Sequence, residues 1–483
     1  MSLHAAVDFG ASSGRVMLGA VGPGRLQLTE AARFRNGAVE VPGERGTALH
    51  WDVLGLWRES LAGLRQVGAL ARAAGEPVAS VGVATWAVDY GLLAGDGTLL
   101  GAPRSYRDAR TDGVAERVHQ QLPAVELYRR NGLQHLPFTT LYQLVAELEG
   151  PLLAAARSLL LVPDLVGYWL SGHLGAEATN VSTTGLADVR TGRWAEDLVA
   201  LAGIDAGLLP PVHDPGAVLG GLRPAVAAST GLDDARLVAV GSHDTASAVV
   251  GVPATDERFA YVACGTWALV GVELESPVLG AESLAAGFTN ERGVDDRIRY
   301  LHNVMGLWVL QGCLADWGLD SADLTALLAA AAELPAGGAV VDVDDPAFLP
   351  PGPMVTRVQQ ACEAAGQPVP VARPAVVRCV LDSLATAFAR VVEDAVRLSG
   401  RDVDVVHVVG GGAQNALLCQ LTADACGRPV LAGPVEATAL GNVLVQARAA
   451  GTVTGALEDL RALVAGTCDL VRYEPGGTRA LAG

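Results

Sequence analysis

Three separated segments of this 483-residue chain hold residue types that could do chemistry together. Near the N-terminus, Asp8-Phe9-Gly10-Ala11-Ser12-Ser13-Gly14-Arg15 reads as a tight turn preceded by an aspartate. Small residues let backbone N–H groups approach a phosphate, and the hydroxyls add donors. A carboxylate at the end of a strand can also hold a Mg²⁺-bound water, although the same residues would serve an ordinary hairpin. In mid-chain, Gly241-Ser242-His243-Asp244-Thr245-Ala246-Ser247 sets an aspartate at the opening of an Ala-rich helix. There it could take the proton of a hydroxyl during phosphoryl transfer, or merely cap the helix by accepting backbone N–H groups. Toward the C-terminus, Gly410-Gly411-Gly412-Ala413-Gln414-Asn415 follows a Val-rich stretch. A turn free of side chains lets an adenine ring or a phosphate lie against backbone near a helix N-terminus. It is not the G-x-G-x-x-G fingerprint, and no acidic residue at the expected distance supports a dinucleotide fold.

These segments need elements to position them. Apolar runs predict strands over Ala5–Phe9, Val16–Val21 and Leu26–Phe34. Apolar residues three and four apart then predict an amphipathic helix over Asp52–Ala74, with Asp52 as its N-cap. Val78–Ala84 reads as a buried strand, and Gly95-Asp96-Gly97 as a hairpin turn. Further strands fall at Leu159–Val162 and Leu237–Val240. A second strand–turn–strand, Phe259–Cys264, Gly265-Thr266 and Ala268–Glu273, echoes the first about 250 residues later and points to two related halves. A long helix over Pro374–Leu398 leads to the strand Val405–Val409, and helices over Glu436–Ala450 and Gly455–Ala465 close the chain. The alternation predicts an α/β protein with mixed sheets. A break at Gly251-Val252-Pro253 places the domain boundary near residues 245–256, giving domains over 1–245 and 246–483.

Composition excludes several classes. The chain has 34 basic against 52 acidic residues, a net charge of −18, so nucleic acid and anionic membrane are poor partners. Every basic residue is Arg. Without Lys there is no Walker A loop, no protein-kinase ATP lysine and no Schiff base. The seven cysteines show no C-x-x-C spacing and read as buried thiols of a reduced protein. No targeting signal is legible in the first residues, so a cytoplasmic location is expected. Trp86, Trp267 and Trp308 read either as sugar-stacking platforms or, as is commoner within motif strands and helices, as core, and Cys419 and Cys426 on one helix suit packing. Asp108 and Arg110 read either as an acid–base pair near a substrate or as a surface ion pair.

Taken together the motifs resemble the FGGY carbohydrate kinases of the actin-like ATPase superfamily, nearly end to end. The segments that carry the resemblance are AVDFGASSGR (6–15), ATWAVDYG (84–91), NGLQHLPFTTLYQL (131–144), GSHDTASAV (241–249), CGTWAL (264–269), HNVMGLWVLQ (302–311) and GGGAQNALLCQLTADACGRPV (410–430). The resemblance implies two actin-like (ribonuclease H-like) domains with mixed sheets and a nucleotide cleft between them. It implies that Ala11, Ser12, Ser13, Gly14, Arg15, Thr266, Gln311 and Gly411 contact ATP, the co-substrate. Asp244 is implied as the proton acceptor, and Asp8 as the holder of Mg²⁺ through water. His243, Asp244, Thr245, Asn303 and Ala87 match sugar-site positions, with one departure: Ala87 stands where the family has glycine. ATWAVDYG and NVMGLWVLQ set apart one ketose branch, so the expected reaction is ATP-dependent phosphorylation of L-rhamnulose. L-fuculose and D-xylulose are the alternative acceptors, and a non-catalytic sugar or nucleotide sensor is the rival class. No obligate protein partner is implied.

Overall fold

The apolar N-terminal run forms the strand Ser2–Phe9, buried from Leu3 onward. It pairs antiparallel with Ser13–Gly22, and that strand pairs antiparallel with Arg25–Arg35. On its other side Ser2–Phe9 runs parallel to Val78–Thr85, which is parallel to Arg236–Val238. Val218–Gly221 closes the edge, so the six-stranded sheet is mixed. Val16 and Gly19 are three apart in one strand and therefore face opposite sides of the sheet. Val16 packs where Gly63 of the helix Val53–Ala74 leaves room, and Gly19 makes room for Val443 of the helix Ala437–Ala449. Helices thus cover both faces. Asp52 caps the first of these, its side chain accepting from the Gly55 N–H, and Gly75 ends it with a left-handed φ of 72°.

The computed structural model describes residues 1–43, 46–476 and 478–481. They form two compact units. The first comprises Met1–Thr255, Leu274–Tyr300 and Ala437–Thr467; the second comprises Asp256–Glu273, Leu301–Glu436 and Cys468–Gly483. The chain crosses between them more than once. The helix Ala437–Ala449 belongs to the first unit because it packs on Ser2–Phe9, Val78–Thr85 and the helix Asp244–Val250.

The second unit repeats the opening motif of the first. Phe259–Cys264 pairs antiparallel with Ala268–Leu274 and parallel with Val405–Val409. Beyond these come Val430–Ala432, parallel, then Val471–Glu474 and Thr478–Leu481, antiparallel. The 27-residue helix Arg373–Ser399, ended by Gly400, packs on Ala416–Cys426. Both units are mixed α/β structures of the actin-like kind. Cys419 and Cys426 are buried on their helix, and no cysteine forms a disulfide among the described residues. No helix among the described residues is long and apolar enough to cross a membrane.

Candidate active site

Asp8 lies next to last in its strand, directly opposite Arg15 in the antiparallel register. Its side chain is only 1% exposed, and Arg15 Nε and Nη2 each stand 2.7 Å from its Oδ2. The guanidinium that sequence reading gave to phosphate is therefore paired with the metal-site candidate. The intervening turn closes through the Gly10 N–H on the Ser13 carbonyl at 2.8 Å. Asn36, invisible to sequence reasoning, braces it by donating Nδ2 to the Gly10 carbonyl at 2.8 Å. Gly14 has a packing reason as well as a ligand one: a Cβ there would collide with the Phe34 ring. Ser12 is exposed, and Ala11 and Ser13 are half-buried.

Asp244 is the first residue of the helix Asp244–Val250, and its N-cap is His243. Asp244 is thus not the cap. Its Oδ1 accepts the N–H of the adjacent Thr245 at 2.6 Å and lies 3.5 Å from His243 Nε2. The helix sits so close on Ala437–Ala449 that a Cβ on Gly441 would overlap the Ser247 carbonyl. Upstream, the Thr85 N–H binds the Ser242 carbonyl at 2.8 Å. Buried Glu177 accepts from the Ser242 N–H at 2.9 Å, Ser242 Oγ at 2.7 Å and Thr179 Oγ1 at 2.5 Å. This carboxylate is the clamp that fixes the segment before Asp244, and no local motif announced it.

The Asp244 side chain is 24% exposed. Burial pushes its carboxyl up to about 6; His243 and Arg15 oppose the rise, and the charge of Asp8 adds to it. A carboxylate of that basicity suits a general base near neutral pH. Asp8, Arg15 and Asp244 form one electrostatic group. Hard oxygen donors of this kind suit Mg²⁺ held through water. Among the described residues no group of three or more His, Cys, Asp or Glu is gathered for direct metal ligation.

Ala87 sits half-buried in a bend anchored by Asp89. Asp89 Oδ2 accepts from Trp51 Nε1 at 2.5 Å, Trp86 Nε1 at 2.9 Å and the Tyr106 N–H at 3.2 Å. Its Oδ1 accepts from Gln143 Nε2 at 2.9 Å. Burial raises this carboxyl to about 6 despite the four donors. Val88 holds a left-handed φ of 69°, a sparsely populated region for a β-branched residue. Thr140 Oγ1 donates to its carbonyl at 2.6 Å. Two motif segments far apart in sequence, 84–91 and 131–144, are therefore one structure. Trp86 is buried against Trp51, ring centroids 4.2 Å apart, as a core residue. The Arg110 guanidinium does not pair with Asp108, which instead accepts the Arg110 backbone N–H at 3.0 Å. The guanidinium pairs with Glu147 and donates to Gln143 Oε1 at 2.8 Å, because Asp108 is spent capping a turn and accepting the Leu49 N–H.

In the second unit, Thr266 lies in the turn of the second hairpin. Its carbonyl accepts the Trp308 N–H at 3.1 Å, and the Gly265 carbonyl accepts the Leu307 N–H at 3.0 Å. This brings Thr266 to the start of the helix Trp308–Trp317, whose first turn carries exposed Gln311. Trp308 Nε1 donates to the Phe348 carbonyl at 2.9 Å. In the glycine triplet, Gly410 has a φ of 82°, and a Cβ on it would lie 3.0 Å from the Cys264 carbonyl oxygen. A Cβ on Gly412 would collide with Cys264 Sγ, whereas Gly411 faces open space. Asn415 caps the next helix through the Leu418 N–H at 3.1 Å. Asn303 is half-buried in the strand Ile298–Val304.

The N-terminal domain of the FGGY family of carbohydrate kinases matches residues 3–251, and its C-terminal domain matches residues 260–450. The chain belongs to the FGGY family. Kinases of this family use ATP and Mg²⁺, and this member is a sugar kinase that phosphorylates a small sugar. Rhamnulokinase of Bacteroides thetaiotaomicron is 39% identical over 472 residues, 97% of this chain and 95% of that one. Rhamnulokinase of Klebsiella pneumoniae is 41% identical over 480 residues, covering 97% and 94%. Among solved structures, gluconate kinase from Lactobacillus acidophilus superposes with a TM-score of 0.79 at 15% identity, over 98% of this chain and 94% of that one. Plasmodium falciparum glycerol kinase with ADP gives 0.77 at 13%, over 99% and 94%. At such identities these two speak for the family fold alone.

Proposed function

We propose that the enzyme phosphorylates L-rhamnulose at its primary hydroxyl, giving L-rhamnulose 1-phosphate and ADP. The observation that carries this reading is the 39% to 41% identity to rhamnulokinases along nearly the whole of both chains. Asp244 accepts the hydroxyl proton as that oxygen attacks the γ-phosphorus in line and ADP leaves. The carboxyl, pushed up to about 6, is ionised at neutral pH yet basic enough to receive it. His243, Thr245, Asn303 and Ala87 contact the sugar, and the Ala87 methyl narrows the pocket relative to glycine. Ala11, Ser12, Ser13, Gly14, Arg15, Thr266, Gln311 and Gly411 contact ATP. Asp8 would hold Mg²⁺ through water, and Mg²⁺ when bound would offset phosphate charge. In a chain without Lys, Arg15 and backbone N–H groups carry the rest of that task.

The test is a panel of ketoses with purified enzyme in a coupled ADP-release assay. L-rhamnulose is expected to give the highest kcat/KM. A preference for D-xylulose or L-fuculose of more than about tenfold, roughly 1.4 kcal/mol of transition-state discrimination, overturns the assignment.

A further inference from the structure

One buried guanidinium holds both side chains that flank Asp244. Arg299, in the strand Ile298–Val304, has 0% of its side chain exposed. Its Nη1 donates to Thr245 Oγ1 at 3.0 Å, and its Nη2 lies 3.2 Å from His243 Nδ1. Nη2 also stands 2.9 Å from Glu291 Oε2, and Nε donates to the Arg292 carbonyl at 3.1 Å. The same Glu291 oxygen is 3.2 Å from His243 Nδ1. Burial alone would raise the Glu291 carboxyl, but Arg299 and His243 outweigh it and hold it below its ordinary value.

A buried guanidinium is costly unless its N–H groups are met. Here the groups that meet it are the neighbours of the base. Guanidinium only donates, so it occupies a lone pair of Thr245 Oγ1 and leaves the threonine proton to be given elsewhere. The receivers within reach are a bound sugar and, when His243 Nδ1 carries the ring proton and gives it to Glu291, His243 Nε2, 3.1 Å away. One charge pair thereby fixes two rotamers and the donor pattern beside Asp244.

The geometry points to Arg299, neutralised by Glu291, as a positioning residue that acts through His243 and Thr245 to set how strictly the site chooses among ketoses. This rests on reading those two residues as sugar contacts. The experiment measures steady-state kinetics across the ketose panel for wild type, Arg299→Met, Glu291→Gln, Thr245→Val and the Arg299→Met/Thr245→Val double variant. Arg299→Met is expected to raise the KM of the preferred sugar about tenfold or more, with ATP KM within about twofold. Its preference for the best over the second-best ketose is expected to shrink by a similar factor, and Glu291→Gln to act in the same direction. Because Arg299 works through Thr245, adding Thr245→Val is expected to cost less than about threefold more. An unchanged sugar KM and preference in folded Arg299→Met overturns the proposal, as does an equal rise in ATP KM or full additivity. If Arg299→Met does not fold, Arg299→Lys keeps the charge but lacks the planar fork. The same raised sugar KM is expected there, and an unchanged one overturns the proposal. Should the wild type prefer a ketose other than L-rhamnulose, the substrate assignment fails, while the Arg299 comparison is read on the preferred sugar.

Discussion

Arg15 and Asp8 face each other across the first hairpin, with two guanidinium nitrogens each 2.7 Å from one oxygen of a buried carboxylate. Both residues reach Asp244 through their fields, Asp8 making its carboxyl harder to ionise and Arg15 making it easier. The turn that sequence reading treats as a phosphate cradle therefore also tunes the Asp244 carboxyl.

Wild-type kcat/KM should fall on the acid side with a midpoint near 6, the value to which burial pushes Asp244. The base works only when ionised, so the loss should steepen to about tenfold per pH unit below the midpoint. A pH profile under saturating Mg²⁺ checks this. A rate that stays flat down to about pH 5 would be incompatible with a base of that basicity.

Asp8→Asn removes the negative charge that raises the Asp244 carboxyl and frees Arg15 to lower it further. The acid limb should move to lower pH, and the Mg²⁺ concentration for half-maximal velocity should rise. Velocity measured over a grid of pH and Mg²⁺ tests both; an unmoved Mg²⁺ requirement removes Asp8 from the metal site.

The glycine triplet separates packing from binding. Gly411 faces open space, so Gly411→Val should fold and bind ATP more weakly. Gly412→Ala should instead lose stability, about 1–3 kcal/mol, by overpacking against Cys264. Thermal melts with ATP calorimetry decide it: unchanged ATP affinity in folded Gly411→Val takes the triplet out of the site.

Asp89→Ala should leave the Trp51 and Trp86 indole N–H groups without their acceptor, while the Gln143 amide keeps the Phe138 carbonyl. Each buried donor left unmet costs about 1–3 kcal/mol, so the total loss should reach at least about 2 kcal/mol. Asp89→Asn keeps an oxygen and should lose less. Urea denaturation is the measurement, and a loss under about 1 kcal/mol would mean the bend at Ala87 has other anchors.

What was legible in the sequence was local. The two hairpins, the Asp52 cap, the strand before the glycine triplet and the opening of the Asp244 helix all follow from neighbours within a few residues. Glu177 holding Ser242 and Asp89 holding Trp51 and Gln143 were not legible, because each pair is brought together only by the tertiary fold. Arg299 likewise lies far along the chain from the His243 and Thr245 that it binds. The pairing of Arg110 with Glu147 rather than Asp108 has the same origin: proximity in sequence suggested a partner that the fold uses as a cap.

In the proposed mechanism Asp244 takes the sugar's proton. Asp244→Asn keeps the size of the side chain and an oxygen for the Thr245 N–H, and Asp244 is not the helix cap, so the fold should be little changed. General-base catalysis contributes about 10²–10⁴-fold, so phosphorylation should slow by at least about a hundredfold while sugar and ATP affinities fall far less. The direct measurement is single-turnover phosphorylation by folded Asp244→Asn enzyme at saturating ATP and sugar. A loss of that size is the predicted result; phosphorylation near the wild-type rate would contradict the mechanism and leave Asp244 a structural residue.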